Sequence, residues 1–475
     1  MRGKDISDAL GGVEGRFVEE SAETKKTTLR WLKWTAPVAA AAVIALVLGL
    51  FFGGGRAPVP QKPLTPQSPE RFRITGVVYP AMAPYSDGSN REERDAWYQS
   101  RRERAAYYSY CEGLEPFLTK TIPEFLGEEE GKNALYSPLN VYMALAMLAE
   151  ISDGNTRRQV LELLGESSIE SLRTKANGVW NACYCNDGAT TSIPASSVWM
   201  DQGLAVNSDT LKRLSETYYA SSFKGDMGSD EFSAAFQGWL NEQTDDLLAD
   251  QIGGIRFDPN TIFALAATLN YQARWYSSFR PENNTSGRFH GSSGEETCEY
   301  MHGGGDQYCW GETFSACRKT FGQYSGMWFI LPDQGINVED LLKDEESLRF
   351  ISNPEKWQNV AYPIVDLTLP KFDVSSQTDL IDGLKRLGVT DCFDFDKADF
   401  SPLLTEDTAA AVSEVKHGVR VVVDEEGVKA AAYTVMIASG GMPTDRVEFT
   451  VDRPFIFVIT GQSGLPLFVG IVNHM

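Results

Sequence analysis

Residues Val421 to Met442 read VVVDEEGVKAAAYTVMIASGGM, and this stretch decides how the chain is interpreted. The segment begins with a valine run typical of a strand, and Gly427 follows it. The residues after Gly427 include no proline before the closing turn, and none between Lys429 and Asp445 is charged. Alternate residues from Val428 are small, which suits one face of a buried strand. Two glycines and a proline then follow these alternating residues, as is typical of the end of an exposed loop. The pattern indicates a loop that can become a strand.

The two faces of the expected strand differ in size. One face is slim apart from a methionine and carries Val428, Ala430, Ala432, Thr434, Met436 and Ala438. The other face carries Lys429, Ala431, Tyr433, Val435, Ile437 and Ser439. A proline would remove a ladder donor, and a charge on the slim face would be buried without a partner; neither occurs there. The alanine run is also compatible with an ordinary helix on propensity alone.

Composition limits the classes of function. A chain of 475 residues with 42% apolar content can bury a large core. The net charge of -22 argues against a nucleic-acid partner, because phosphate binding needs a basic surface. Seven cysteines are too few for a disulfide scaffold, and the odd number leaves a thiol unpaired if any bridges form.

The amino-terminal region predicts one membrane-spanning helix at residues 34–53. This stretch contains the uncharged run PVAAAAVIALVLGLFF, which approaches the length of a membrane span. Basic residues precede the run more densely than they follow it, so the positive-inside rule places residues 1–33 in the cytoplasm and the rest outside. A cleaved signal peptide is the alternative, but the run starts late and lacks an Ala-x-Ala exit.

The rest of the chain divides into a linker and one folded domain. Residues 54–104 are rich in Pro, Gly and Ser and predict an extracellular linker with a helical end, followed by a domain at 105–475. Helical spacing occurs at Asn140–Ile151, Thr156–Leu164 and Phe232–Ile252. Strand-like runs occur at Ile262–Tyr271, Met327–Leu331, Val360–Leu369, Val419–Val423, Val447–Val451, Phe455–Ile459 and Leu467–Ile471. This order predicts an α+β fold with at least one large sheet.

Four sequence blocks follow one another along the expected domain. They are NALYSPLNVYMALAMLAEISDGNTRRQVLELLG at 133–165, LPKFDVSSQTDLIDGLKRLGVTDCFDFDKADFSPL at 369–403, AAAVSEVKHGVRVVVDEEGVKAAAYT at 409–434 and VEFTVDRPFIFVITGQSGLPLFVGIVN at 447–473. In this order the blocks resemble the serpin family of protease inhibitors, and the resemblance extends from about Tyr110 to Met475. It implies the serpin fold: several helices around a large mixed central sheet, smaller sheets and an exposed reactive-centre loop.

The resemblance implies a suicide-substrate mechanism for the opening segment. In serpins a protease cleaves the reactive-centre loop, which then inserts into the central sheet and carries the covalently attached protease with it. The implied hinge comprises Glu425, Glu426, Gly427, Val428, Lys429, Ala430, Ala431 and Ala432. The implied scissile window comprises Ser439, Gly440, Gly441 and Met442, and the family's spacing from the hinge favours the bond after Gly441. Val428 replaces the threonine or serine usual at its position.

The resemblance also implies a shutter and a breach, where the strands part to admit the loop. Ser137 and His417 stand where the family has a serine and a histidine, and Trp275 is at the family's breach tryptophan. Asn140 replaces a second serine, and Ala267 replaces an asparagine that forms hydrogen bonds. We therefore expect Asn140 to satisfy His417 in its place.

The scissile window predicts the class of target. It contains no Lys or Arg, and Arg446 comes too late, so trypsin-like proteases are disfavoured because their pocket needs a cation. Small residues there suit an extracellular elastase-like or subtilisin-like serine protease. The competing hypothesis is a non-inhibitory serpin that acts as a binding or adhesion module at the surface. With its anchor, the chain is expected to be a monomeric, single-pass protein of a bacterial cell membrane.

Enzyme and metal hypotheses find little support. The chain has four histidines and lacks the G-x-S-x-G, H-E-x-x-H and Walker motifs. A zinc site could be imagined from four residues, but their spacing fits no common zinc pattern: Cys298, His302, Cys309 and Cys317. We expect no catalysis, no cofactor and no metal.

Overall fold

The structure is a computed structural model that describes residues 64–86, 90–127, 130–322, 325–406, 408–428 and 445–475. Within these ranges the helices are α1 (Arg91–Ala105), α2 (Glu115–Leu126), α3 (Pro138–Ile151), α4 (Gly154–Leu164), α5 (Ile169–Cys183), α6 (Ser208–Thr217), α7 (Asp230–Thr244), α8 (Ala249–Ile252), α9 (Glu345–Ser352) and α10 (Ile381–Arg386). The strands of the first half are β1 (Arg73–Thr75), β2 (Ala134–Tyr136), β3 (Cys185–Asn186), β4 (Thr190–Asp201), β5 (Ala220–Gly225), β6 (Phe263–Arg274), β7 (Thr285–Gly291), β8 (Gly294–Gly305) and β9 (Gln307–Trp310). The later strands are β10 (Phe314–Thr320), β11 (Gly326–Pro332), β12 (Val360–Ala361), β13 (Ile364–Pro370), β14 (Phe372–Asp379), β15 (Lys416–Val423), β16 (Gly427–Val428), β17 (Arg446–Thr450), β18 (Phe455–Thr460) and β19 (Pro466–Val472).

The helix boundaries follow capping chemistry. α3 begins with a proline at its first position, where the missing N–H costs no hydrogen bond. α4 ends at Gly165, which adopts a left-handed conformation with φ of 74°. The predicted helix Phe232–Ile252 is divided instead into α7 and α8. Asp245 and Asp246 both have positive φ there, 50° and 57°, which a continuous helix does not allow.

The strands form three sheets within the described residues. The central sheet has eight strands in the order β1-β5-β4-β6-β16-β15-β14, with β3 beside β4. A second sheet has seven strands in the order β12-β9-β10-β11-β18-β19-β2, and a third has four in the order β17-β13-β8-β7. The predicted α+β class is confirmed. The predicted strand Val360–Leu369 is split at Pro363 into β12 and β13, because proline cannot donate to a ladder.

The helical layer buries an ion cluster beside the main core. Every residue of α3 except Ala144 is buried, including Glu150. The Glu150 carboxylate accepts hydrogen bonds from Arg173 at 2.7 and 2.8 Å, from Arg213 at 2.8 Å and from the Tyr218 hydroxyl at 3.1 Å. Burial alone would raise the pKa of Glu150, but these hydrogen bonds lower it. The cluster joins α3 to α5 and α6.

The segment ahead of the expected domain boundary packs on the body. β1 pairs with the edge of β5, and the Gln67 N–H donates to the carbonyl of Ala234 in α7 at 3.0 Å. In α1, the Trp97 indole donates to Asp187 at 3.0 Å. The compact unit therefore begins at Leu64, ahead of the predicted boundary at residue 105 and inside the predicted linker 54–104.

The predicted membrane span at 34–53 lies outside the described residues. Among the helices that are described, none combines the length and apolar character needed to cross a membrane.

Candidate functional site

A tight turn joins β15 to β16 at the predicted hinge. Val423 pairs with Val428 across the turn. The Asp424 carboxylate accepts from the N–H groups of Glu426 at 2.8 Å and Gly427 at 3.1 Å, and the Asp424 N–H donates to the Gly427 carbonyl at 3.1 Å. The side chain of Asp424 thus fixes the turn from inside, as an Asx turn does.

Gly427 is required by a close backbone approach. Its φ is +153°, and a Cβ on it would lie 2.2 Å from the carbonyl oxygen of Ala273 and 2.8 Å from Cα of Arg274. No other residue fits without moving β6. The hinge glycine therefore sets how near β16 can come to β6.

β16 lies in the central sheet between the carboxyl-terminal ends of β6 and β15. Gly427 pairs with Arg274 and Val428 with Ala273, both antiparallel. In the part of the chain that the structure describes, β6 and β15 are not paired with each other, and each pairs with β16. At this level they are therefore two strand spacings apart, about 9.6 Å. On the far side of the loop, β17 is paired in parallel with β13, beginning at Ile364 and Arg446.

An ion network holds the first hinge glutamate. Lys371 Nζ lies 2.6 Å from the Glu425 carboxylate and 3.1 Å from that of Glu299. The Asn284 amide donates to both carboxylates, at 2.5 and 2.7 Å. Burial alone would raise the pKa of Glu425, but the hydrogen bonds from Lys371 and Asn284 lower it. The next hinge residue, Glu426, pairs with Arg274 at 3.1 Å.

Trp275 holds the backbone of the turn at the breach. Its indole N–H donates to the Asp424 carbonyl at 2.9 Å, and its backbone N–H donates to the Glu426 carbonyl at 3.0 Å. The indole stacks on Phe321 with ring centroids 4.4 Å apart. Phe279 completes the set by donating its N–H to the Glu425 carbonyl at 3.0 Å.

A buried lysine, Lys319, packs against the rings of Trp275 and Phe279. The sequence patterns did not predict that it belongs to the site. Lys319 Nζ lies 4.3 Å from the ring centroid of Phe279 and 5.6 Å from that of Trp275, and donates to the Gly304 carbonyl at 2.9 Å. Burial lowers the pKa of Lys319 to about 8. The residues next to Lys319 in the chain do not predict its position, because both of its aromatic neighbours, Trp275 and Phe279, come from the segment that follows β6.

The shutter residues meet, but not as expected. The Ser137 N–H donates to His417 Nε2 at 3.0 Å, and the Ser137 hydroxyl donates to the Leu467 carbonyl at 2.8 Å. The buried side-chain oxygen of Asn140 has no hydrogen-bond partner among the described residues. The expectation that Asn140 satisfies His417 is therefore wrong, since the backbone of Ser137 takes that role. Ala267 faces Ser196 across β4 and β6.

Burial of His417 predicts a loss of stability in acid. Desolvation lowers the pKa of His417 from 6.5 to about 4. Between those values the unfolded chain binds a proton that the folded chain does not, so stability falls as pH drops through this range. The loss between pH 7.5 and pH 4.5 attributable to His417 is expected to be about 2–3 kcal/mol. Urea unfolding of the wild type and of His417→Gln at both pH values measures it. An equal pH effect in the two proteins would contradict the prediction.

The remaining predicted site residues lie outside the described part of the chain. They are Lys429, Ala430, Ala431 and Ala432 of the hinge, and Ser439, Gly440, Gly441 and Met442 of the scissile window.

A serine, a histidine and a glutamate meet elsewhere, without the geometry of a hydrolase. His474 Nε2 lies 3.2 Å from the Ser292 hydroxyl, and Nδ1 lies 3.2 Å from Glu296. However, Nε2 lies only 2.7 Å from the carbonyl oxygen of Gly131, which can only accept. The Ser292 hydroxyl itself donates to the same Gly131 carbonyl at 3.0 Å, so it is not aligned with His474 as a nucleophile is aligned with its base.

The four residues weighed as a zinc site are divided between two sheets: Cys298 and His302 lie on β8, and Cys309 and Cys317 lie on β9 and β10. His302 contacts the hydroxyls of Thr285 and Thr368 at 2.8 and 3.1 Å on the four-stranded sheet. Cys309 and Cys317 are buried in the seven-stranded sheet. All seven cysteines, each within the described residues, are free thiols.

Comparisons with known proteins place this geometry in context. The family model described as "Serpin (serine protease inhibitor)" matches residues 114–475, about three quarters of the chain. Human neuroserpin is 28% identical over 365 residues, which cover 73% of this chain and 87% of neuroserpin.

Two solved structures show how far the likeness of fold extends. The native state of tengpin, a thermophilic serpin, is 25% identical, with a TM-score of 0.69, over 83% of this chain and 97% of tengpin. Thyroxine-binding globulin in complex with thyroxine is 21% identical, with a TM-score of 0.66, over 76% of this chain and 99% of the globulin. At that identity the second likeness concerns the fold alone.

Proposed function

The chain belongs to the serpin family, whose members are in general protease inhibitors rather than enzymes, and from this premise we propose that it is a suicide-substrate inhibitor of serine proteases. One observation carries the proposal: Gly427 and Val428 are already paired as a strand between β6 and β15. A protease that cleaves the loop frees the residues after Val428 to extend this strand. The covalently attached protease is then carried along the sheet.

The observed register fits a full insertion. β6 has twelve residues and pairs Arg274 with Gly427. Continued one residue at a time, the same antiparallel register would bring Ala438 opposite Phe263, the first residue of β6. Ala432 would then lie between Leu269 and Val419, both buried. The slim face of the segment would thus fall on the core side of the sheet, the side on which Val428 is buried.

The paired ends on either side of the loop would restrain insertion before cleavage. β17 fixes the chain at Arg446 through its parallel pairing with β13. Seventeen residues, 429–445, join the two paired ends. A dozen residues of inserted strand would span about 40 Å, which would carry the loop's far end away from Arg446. Cleavage between Val428 and Arg446 removes that restraint.

We propose elastase-like or subtilisin-like proteases as the targets, on the basis of the small residues Ser439, Gly440 and Gly441 in the scissile window 439–442. The test mixes the full chain with elastase, subtilisin and trypsin and resolves the products on denaturing gels. Complexes that survive denaturation are expected with the first two enzymes and not with trypsin. Clean loop cleavage by all three, with active protease released, would overturn the proposal and favour the non-inhibitory binding or adhesion module.

The cellular setting is a second proposal, resting on residues 34–53 and the charges around them. We infer a single-pass membrane anchor in a bacterial cell, with a monomeric serpin domain outside. Protease treatment of intact cells is expected to remove the domain from the surface. A domain that resists this treatment in intact cells but is digested after lysis would contradict the placement.

A further inference from the structure

The breach contains a lysine in a setting that normally excludes charge. Lys319 on β10 is only 2% exposed and is among the largest side chains that the core buries completely. Its Nζ donates to the Gly304 carbonyl at 2.9 Å. Because an ammonium has three N–H groups to donate, two of them meet no oxygen acceptor in the described part of the chain.

The charge of Lys319 is not balanced by a neighbouring carboxylate. Among the residues that the structure describes, no ion pair includes it. Asp306 is the acidic group whose charge acts on Lys319, but its carboxylate accepts from the Thr320 N–H at 2.6 Å. The other contacts are aromatic, with Nζ 4.3 Å from the ring centroid of Phe279 and 5.6 Å from that of Trp275. Cation–π attraction offsets only part of the cost of removing an ammonium from water.

The two rings that cover the ammonium belong to the residues that hold the hinge turn. Trp275, through its indole and backbone N–H groups, and Phe279, through its backbone N–H, donate to the three consecutive carbonyls of residues 424–426 at 2.9–3.0 Å. The packing is close, since a Cβ on Gly303 would lie 2.9 Å from Phe279 and 3.8 Å from Lys319 Nζ. Nζ therefore reaches water only when these rings shift, and a shift of the rings disturbs the bonds to the turn.

We propose that Lys319 is a positioning residue that acts through Trp275 and Phe279 and biases the breach toward opening. Its uncompensated charge regains solvation when the rings move off it, and the same movement releases the carbonyls of the hinge turn. The consequence for inhibition rests on the proposed function: a breach that opens more readily admits the cleaved loop sooner. An apolar side chain of the same length at position 319 would hold the turn more tightly.

Hydrogen exchange of the uncleaved full chain tests the assignment. The amides of Trp275 and Phe279 exchange when their bonds to the turn break, so their protection measures how often the breach opens. In Lys319→Met, protection of both amides at pH 7 is expected to rise at least about tenfold over the wild type. The matched control is Lys385→Met, which removes an exposed lysine 5.6 Å from the Phe393 ring and should leave both amides unchanged.

A pH series on the wild type tests the charge itself and needs no variant. The pKa of Lys319 is about 8 when buried and 10.5 when Nζ reaches water, so between these values the open breach binds a proton that the closed breach does not. Opening should therefore become about tenfold rarer between pH 7 and pH 9, after correction for the intrinsic exchange rate. Lys319→Met should lack this dependence. It retains the other titratable groups around the site, so the difference between the two proteins isolates the lysine: Asp306, Cys317, Lys371, Glu425 and Glu426.

Three outcomes would overturn the proposal. They are protection in Lys319→Met that is unchanged or lower, a gain of the same size in Lys385→Met, and a wild type whose corrected protection does not change between pH 7 and pH 9. None of these measurements involves a protease, so they are decided independently of the gel test for inhibition. The expected exchange results without a covalent complex would refute the proposed function and leave the assignment of Lys319 intact.

Discussion

Replacing Ala432 by glutamate is expected to convert the protein from an inhibitor into a substrate of its target protease. If the register set by Val428 and Ala273 continued on insertion, residue 432 would enter the sheet between Leu269 and Val419, both buried. An unpaired carboxylate there costs several kcal/mol, so insertion slows while hydrolysis of the trapped bond proceeds. The number of inhibitor molecules consumed per protease inactivated should rise at least about tenfold. Titration of residual protease activity measures this number, and denaturing gels show the loss of the complex.

Ala431→Glu is the matched control, one residue away on the opposite face. In the same extended register it would lie beside Asn270 and Arg420, both half-buried on the outer side of the sheet. A glutamate there would remain close to solvent and to the Arg420 guanidinium. The number of inhibitor molecules consumed per protease inactivated should therefore stay within about twofold of the wild-type number. Equal behaviour of the two variants would show that residue 432 does not enter the core side of the sheet.

Replacing Glu150 by alanine is expected to cost about 3 kcal/mol of folding stability. The carboxylate is fully buried and is bonded by Arg173, Arg213 and Tyr218. Removing one partner of a buried ion cluster typically costs 3–5 kcal/mol, because the remaining charges lose their compensation. Both arginines are about a third exposed, so each can partly recover solvent, which favours the lower end of that range. Urea unfolding measures the change.

Glu162→Ala provides the surface comparison. Glu162 on α4 pairs with Arg158 one turn earlier, and both side chains are more than half exposed. An exposed pair of this kind contributes up to about 0.5 kcal/mol. A loss at Glu150 no larger than the loss at Glu162 would show that the buried cluster does not stabilise the helical layer.

Sequence patterns predicted strands best where both faces are buried. The apolar runs at 327–331, 455–459 and 467–471 became β11, β18 and β19. The sequence patterns did not predict β4 and β8, because the residues that pack against these strands require small or polar residues in them. β4 contains Pro194, whose carbonyl accepts from the Trp180 indole, and β8 ends in three glycines. Phe279 lies 2.9 Å from where a Cβ on Gly303 would be, so this position has no room for a side chain. As a result, β8 lacks the alternation of apolar and polar residues by which strands are predicted.

The candidate site was readable only in part. The role of Gly427 in the hinge could be predicted because a hinge needs backbone freedom. The structure adds that the carbonyl oxygen of Ala273 leaves no room for a side chain at this position. The partner of His417 could not be read, since the donor is the backbone N–H of Ser137, a group that every residue except proline carries. Lys319 could not be read either. Its position between two aromatic rings depends on how β10 packs beneath the breach.

The pairing of Val428 with Ala273 and Val423 also has a kinetic consequence. A strand that joins a sheet must first close a loop and form one ladder pair, and this step costs chain entropy before later pairs add to it. Here the first pair precedes any encounter with a protease. In the proposed mechanism, nucleation is thus complete when the loop is cut, and insertion would begin directly with propagation along β6.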